Sequence, residues 1–175
     1  MTQINALAML TALSFPGLAE ASGFQSAFLS RCLNPLIQGG EFDTSGLMGP
    51  VALPNMNIGV KGMDVERRVW QTGDPNVSFG TMVSKGVFRG CGVTLKAFDG
   101  APVRVLEDVL GAVGQTSEIC HFDLTYRDLR GYRAVVRRAG SDLPILVNFS
   151  PAEGRDYSLL AWESVPEKVD RACSR

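Results

Sequence analysis

Between residues 65 and 95 the sequence alternates apolar and polar residues, and this period of two constrains the fold more than any other feature. Three such stretches, VERRVWQT, VSFGTMV and VFRGCGVTL, are separated only by GDPN and by SKG. Alternation of this kind is typical of β-strands, and connections this short allow only antiparallel pairing. Four further stretches, EICHFDLTYR, GYRAVVRRA, LPILVNFS and YSLLAWESV, follow later in the chain. The sequence therefore predicts an antiparallel sheet of about seven strands.

Two other segments repeat apolar residues at helical spacing. The first begins at Ser22, which has the Ser-x-x-Gln spacing of a capping box, and runs to about Leu36. The second covers residues 102–114 and has a proline in its first turn. A short C-terminal helix, PEKVDRAC, is predicted to close the chain. The predicted order is α-βββ-α-ββββ plus this helix, which is an α+β fold with its helices packed on one face of the sheet.

The N-terminal segment, residues 1–21, has the pattern of a secretory signal peptide. An apolar run from Ala6 to Leu13 is followed by a helix-breaking Phe-Pro-Gly and then by a small-x-small site, which predicts cleavage after Ala21 or Ala19. No Lys or Arg precedes the run, so a buried N-terminal helix is the alternative interpretation. The main interpretation makes residues 22–175 a single mature domain that is periplasmic or secreted and has no membrane-spanning segment.

Four cysteines make an even set, and such sets usually pair in an oxidising compartment. Periodicity places Cys32 and Cys91 on buried faces of neighbouring elements, which favours a bridge between them and leaves Cys120 for Cys173. The number of cysteines alone also permits the two other connectivities. None of the cysteine or histidine spacings resembles a zinc site, so neither a metal nor another cofactor is expected.

The only histidine, His121, directly follows Cys120. Alternation assigns Cys120 and Phe122 to an apolar face, predicted to be the core face, and His121, Asp123 and Arg127 to the opposite polar face. Adjacent strand residues point to opposite sides of a sheet, so Cys120 and His121 cannot form a catalytic dyad with each other. If the protein is an enzyme, its predicted catalytic residues are His121, Asp123 and Arg127.

Two surfaces are predicted to bind ligands or partners. Arg127, Arg133 and Arg137 can form a basic stripe for an anionic group such as a carboxylate, although a solvated strand face is the simpler interpretation. The long connection before the first predicted strand contains Met48 and Met56, and its flexible apolar side chains suit contact with a protein partner. The same side chains could instead fill gaps over the sheet.

The cysteine in FLSRCLNPL, followed by a second one in RGCGVTL and then by a helix, resembles small uncharacterised exported proteins of Gram-negative bacteria. This resemblance implies a periplasmic location and agrees with a bridge between Cys32 and Cys91. It supplies no activity and no catalytic residue.

The net charge of -1 gives no electrostatic reason to expect nucleic acid or an anionic membrane as a partner. The sequence favours a non-catalytic exported binding or accessory module, whose partner is another exported protein or a small anionic ligand. The main alternative is a small exported hydrolase that uses His121 and Asp123. A redox protein with a reactive thiol is a further alternative.

Overall fold

An antiparallel sheet of eight strands dominates the described residues, which in this computed structural model are 23–57, 64–84, 88–124, 129–152 and 156–164. In chain order the strands are β1 (Met48–Asn57), β2 (Asp64–Gln71), β3 (Val77–Ser84), β4 (Phe88–Leu95), β5 (Cys120–Leu124), β6 (Leu129–Val136), β7 (Ile145–Pro151) and β8 (Tyr157–Glu163). Across the sheet their order is β1-β2-β3-β4-β8-β7-β6-β5, so β1 and β5 are its two edges. Every neighbouring pair is antiparallel.

Two helices accompany the sheet. Helix α1 covers residues 23–38 and contains a π-helical turn at Leu29–Leu33, directly before the α-helical segment Asn34–Gln38. This wider turn precedes Pro35, which has no N–H with which to continue the α-helical hydrogen bonds. Gly39 ends α1 with a φ of 70°, a left-handed conformation that glycine adopts without steric cost. Helix α2 is Pro102–Ala112.

The hydrophobic core lies between the two helices and one face of the sheet, here named the helix-covered face. The helices contribute side chains such as Phe28, Leu36 and Leu106, and the strands contribute Phe79 and Phe149 among others, all with no solvent exposure. The opposite face bears no helix among the described residues and is named the helix-free face. On β5–β8 it carries Cys120, Phe122, Gly131, Arg133, Val135, Leu146, Asn148, Ser150, Ser158, Leu160 and Trp162.

The predicted α+β class and the antiparallel sheet are confirmed, with one more strand than the sequence indicates. The additional strand is β1, which lies within the long connection before the first predicted strand. Pro50 and Pro54 interrupt its pattern, and they are tolerated because β1 is an edge strand that pairs only with β2. The predicted C-terminal helix and the predicted signal peptide lie outside the described residues. No helix in the described ranges is long and apolar enough to span a membrane.

The predicted orientation of the edge strand β5 is wrong. Cys120 is paired with Arg133 on the helix-free face, not directed into the core as the sequence suggested. His121 is paired with Tyr132, which packs against the core cluster on the helix-covered side. Alternation separates the residues of a strand into two sets, but the register with β6 decides which set faces the helices.

The predicted bridge between Cys32 and Cys91 is confirmed. Both residues are fully buried, and their Cα atoms are 5.5 Å apart. The bridge joins α1 to the central strand β4, so it fixes the first helix on the helix-covered face. Cys120 is disulfide-bonded as well. Its predicted partner, Cys173, lies outside the described residues, and that pairing stays a prediction.

Candidate functional site

Arg133 lies on the helix-free face near the middle of β6. Its direct neighbours across the sheet are Cys120 on β5 and Asn148 on β7. The next pair of β5 and β6 residues on the helix-free face is Phe122 and Gly131. Antiparallel pairing thus brings together a cation, an amide and an aromatic ring from three adjacent strands.

The Arg133 guanidinium is held from two sides. Its Nε donates a hydrogen bond of 2.8 Å to Oδ1 of Asn148, and its Cζ lies 4.3 Å from the centroid of the Phe122 ring. Gly131 makes this position of the ring possible, because a Cβ on that residue would lie 2.5 Å from the ring carbons. Stacking on the ring and the bond to the buried amide fix the orientation of the guanidinium plane.

The charge of Arg133 is not neutralised within the described residues. The side chain is half-buried, and no described carboxylate forms an ion pair with it. Burial lowers the pKa of the Arg133 guanidinium from its ordinary value, although the group stays charged at neutral pH. Its two terminal nitrogens, Nη1 and Nη2, donate no hydrogen bond to a described residue. They form the edge that binds a carboxylate through two parallel hydrogen bonds in proteins.

Arg137 directly follows the last residue of β6. Its backbone N–H donates a hydrogen bond of 2.8 Å to Oε1 of Gln115, and its carbonyl accepts one of 2.6 Å from Nε2 of the same amide. Its side chain is exposed. Arg127 lies outside the described residues. Of the three arginines of the predicted stripe, Arg133 is the one that lies within a described strand, and the stripe as a whole stays a prediction.

His121 lies on the helix-covered side of edge strand β5, and thus on the other side of the sheet from Arg133. Its ring is exposed and lies 4.6 Å from the Tyr132 ring, centroid to centroid. The side chain of Asp123, like Arg127, lies outside the described part of the structure. Among the described residues, the contact recorded for His121 is this one with a ring, and a ring is not a catalytic partner. The catalytic set of His121, Asp123 and Arg127 therefore stays a prediction.

A second surface lies at the β1 edge of the sheet. Met48 and Val51 are large apolar side chains with 66% and 61% of their surface exposed. They are paired with Gln71 and Val69 of β2 on the helix-free face. The side chain of Met56 lies outside the described part of the structure. Two exposed apolar side chains close together on an edge strand form a small contact surface.

Phe122 and Asn148 belong to the Arg133 site and were not predicted from the sequence. Asn148 is only 4% exposed, and it is the single uncharged amide within the apolar stretch LPILVNFS. A polar residue inside such a run indicates a buried group that needs a hydrogen-bond partner, so this signal could have been used. Phe122 was predicted to lie in the core, because the sequence pattern predicted the wrong orientation for β5.

Among the described residues, no cluster of histidine, cysteine, aspartate and glutamate is arranged to hold a metal ion. No family model, curated protein or solved structure matches the chain.

Proposed function

We propose that the protein is an exported, non-catalytic binding module that takes a carboxylate-bearing ligand at Arg133. The observation that carries this proposal is the half-buried guanidinium, stacked on Phe122 and bonded to Asn148, with no acidic partner among the described residues. A partly desolvated cation is stabilised by an anion more strongly than a fully solvated one, because water screens their attraction less. An arriving carboxylate would meet a guanidinium whose orientation is already fixed, which lowers the entropic cost of binding.

The exported location is part of the proposal. The Cys32–Cys91 bridge supports an oxidising compartment, because structural disulfides are rare in the reducing cytosol. The signal-peptide pattern of residues 1–21 and the resemblance to exported bacterial proteins point the same way. A hydrolase using His121 and Asp123 has less support, because the contact that the described residues give His121 is with the ring of Tyr132 and not with an acid or a nucleophile.

Benzoate is a suitable probe, since it combines a carboxylate with an aromatic ring that can extend along Phe122. We expect benzoate to shift the NMR signals of the Asn148 side-chain amide saturably, and benzamide, its uncharged analogue, to leave them in place. Arg133→Gln should weaken benzoate binding by about tenfold or more, which corresponds to the loss of roughly 1.4 kcal/mol from a charge-assisted pair. Arg133→Lys should restore only part of the affinity, because an ammonium neither stacks nor binds bidentately.

The matched control is Arg104→Gln, which removes an exposed arginine of α2 on the opposite side of the sheet. This variant should bind benzoate as the unmodified protein does. Equal binding by Arg133→Gln and the unmodified protein would contradict the proposal, and so would equal shifts with benzamide.

A second candidate function is contact with a protein partner through Met48 and Val51. The specific observation is that these two exposed apolar side chains lie on the same face of an edge strand, where a partner strand could bury them. This contact uses the β1 edge and does not involve Arg133.

Replacing Met48 and Val51 together by serine should abolish co-purification of such a partner from an extract of exported proteins. The physical reason is the loss of the apolar area that the partner would bury. The measurement is quantitative mass spectrometry of proteins retained by the immobilised chain. Val83→Ser with Leu143→Ser is the matched control, because these residues are also exposed and apolar but are distant in sequence from β1. Loss of the same proteins in both variants would contradict a specific contact at β1.

A further inference from the structure

We infer that the carboxylate ligand proposed for Arg133 also carries hydroxyl groups, as a sugar acid does, and that Asn148 and Ser150 form hydrogen bonds with them. The inference rests on the proposed carboxylate site and names the chemical class of its ligand. It is drawn from two polar side chains of β7 that are more than nine-tenths buried and whose hydrogen-bonding groups the described residues do not use.

The first of these groups is the side-chain amide of Asn148, which is only 4% exposed. Its oxygen accepts the hydrogen bond from Nε of Arg133, and since a guanidinium can only donate, this contact fixes which end of the amide is the oxygen. The amide nitrogen Nδ2 donates no hydrogen bond to a described residue. The N–H donors of this amide, next to the Arg133 guanidinium, are thus available to a ligand.

The second group is the hydroxyl of Ser150, which lies on the same face of β7 as Asn148. Ser150 is 7% exposed, and its Oγ forms no hydrogen bond with a described residue. It lies beside the Phe122 ring, because a Cβ on Gly131 would be 2.5 Å from that ring and 3.1 Å from Cβ of Ser150. A buried polar group without a partner is unfavourable, so this hydroxyl indicates a place for one.

Both groups remain accessible to a ligand. Within the described ranges, every side-chain nitrogen or oxygen that is sealed from solvent has a hydrogen-bond partner. Since Nδ2 of Asn148 and Oγ of Ser150 have no partner there, these two atoms must retain contact with solvent. A ligand that binds the Arg133 guanidinium can therefore reach them.

Further hydroxyl side chains continue across the sheet from Ser150. Its direct neighbour on β8 is Ser158, which is followed by Thr94 on β4 and Ser78 on β3. The hydroxyl oxygens of Thr94 and Ser158 are 3.0 Å apart and hydrogen-bond to each other. Hydroxyl groups both donate and accept, so this side of the site suits a ligand that carries several of them.

The spacing of the groups sets the size of the ligand. Arg133 and Asn148 are direct neighbours, and Ser150 lies about 7 Å further along the strand direction. A chain of about five or six carbon atoms covers this distance, because each carbon–carbon bond is about 1.5 Å long. With its carboxylate on the guanidinium, such a chain would bring its hydroxyls to Nδ2 of Asn148 and Oγ of Ser150.

These contacts would also make the site selective for a hydroxylated acid. A carboxylate without hydroxyl groups would displace water from Asn148 and Ser150 and leave both polar groups without a partner. Sites that hydrogen-bond a ligand hydroxyl reject analogues that lack it for this reason.

D-Gluconate and hexanoate are matched probes, since they are carboxylates with the same carbon chain and only gluconate carries hydroxyl groups. NMR titration of the full chain, read at the Asn148 side-chain amide, should show gluconate binding about tenfold more tightly than hexanoate. Ser150→Ala should weaken gluconate binding about fivefold, which corresponds to roughly 1 kcal/mol, and leave hexanoate binding unchanged.

Ser84→Ala is the matched control, because Ser84 is a serine of similar burial, 5% exposed, on a strand three positions away from β7 in the sheet. This variant should bind both acids as the unmodified protein does. Equal affinity of the unmodified protein for gluconate and hexanoate would overturn the inference, and so would unchanged gluconate binding in Ser150→Ala.

The failures of the two proposals are distinguishable. Binding of gluconate and hexanoate with equal affinity, lost in both cases in Arg133→Gln, would overturn the hydroxyl contacts and keep the carboxylate site. Binding that does not depend on Arg133 would overturn both proposals.

Methyl β-D-glucuronide, a closed-ring sugar acid with a blocked anomeric oxygen, distinguishes the two sources of such a ligand. Tighter binding of this glucuronide than of gluconate would assign the ligand to an acidic residue of a glycan. Tighter binding of gluconate would assign it to a free sugar acid, and either result supports the inferred class.

Discussion

Replacing Cys32 and Cys91 together by alanine should lower the free energy of unfolding by about 4 kcal/mol. The bridge closes a loop across a sequence separation of 59 residues, and opening it restores conformational freedom to the unfolded chain. The folded state also loses the covalent connection that holds α1 on β4. Urea denaturation of both proteins at the same pH, followed by far-UV circular dichroism, measures the difference.

Mass spectrometry must first show that Cys120 has the same covalent state in both proteins. The two proteins then differ only in the bridge between Cys32 and Cys91. A matched pair, Cys120→Ala with Cys173→Ala, removes the other predicted bridge and should leave the attachment of α1 to β4 unchanged. A loss of less than about 1 kcal/mol on removing Cys32 and Cys91 would contradict the expected role, since loop closure alone predicts more.

Replacing Phe149 by alanine should lower the free energy of unfolding by about 3–5 kcal/mol, the usual cost of deleting a buried phenylalanine ring. The Phe149 ring has no exposed surface and lies at the centre of an aromatic cluster. Its centroid is 5.0 Å from that of Phe98, 5.3 Å from that of Tyr157 and 6.1 Å from that of Phe24. The cluster joins α1, the segment before α2, β7 and β8, so a cavity here weakens several contacts at once.

Leu143→Ala is the control for Phe149→Ala, because Leu143 is 37% exposed and lies just before the same strand. Its removal should change stability by no more than about 0.5–1 kcal/mol, as expected of a surface apolar residue. Both variants can be measured by urea denaturation beside the unmodified protein. Equal losses in the two variants would mean that the aromatic cluster is not the structural centre that its burial indicates.

Local patterns predicted most of the elements and missed one strand. All seven predicted stretches form strands. Most of them alternate between a buried and a more exposed face, whereas β7 is buried on both faces from Ile145 to Ser150. Strand β1 escaped prediction because Pro50 and Pro54 break its alternation, and proline is a normal indicator of irregular structure. Its pairing with β2 supplies hydrogen bonds along one side only, which is sufficient at the edge of a sheet.

The candidate site was predicted in part. Arg133 was named from its place in a charged strand, but the structure shows that its distinguishing feature is the pairing with Asn148 and Phe122. Those contacts depend on the order β7-β6-β5 and on the register between the strands, neither of which follows from any one strand. For the same reason His121 was placed on the wrong side of the sheet.

The sequence by itself determined the α+β class, the antiparallel pairing through short turns and the core positions of Cys32 and Cys91, because these depend on periodicity within single elements. Only the tertiary structure decided that β8 enters between β4 and β7. It also decided that Cys120 and Arg133 lie on the helix-free face. Long-range register sets these features, since a shift of one residue moves every side chain of a strand to the other side of the sheet.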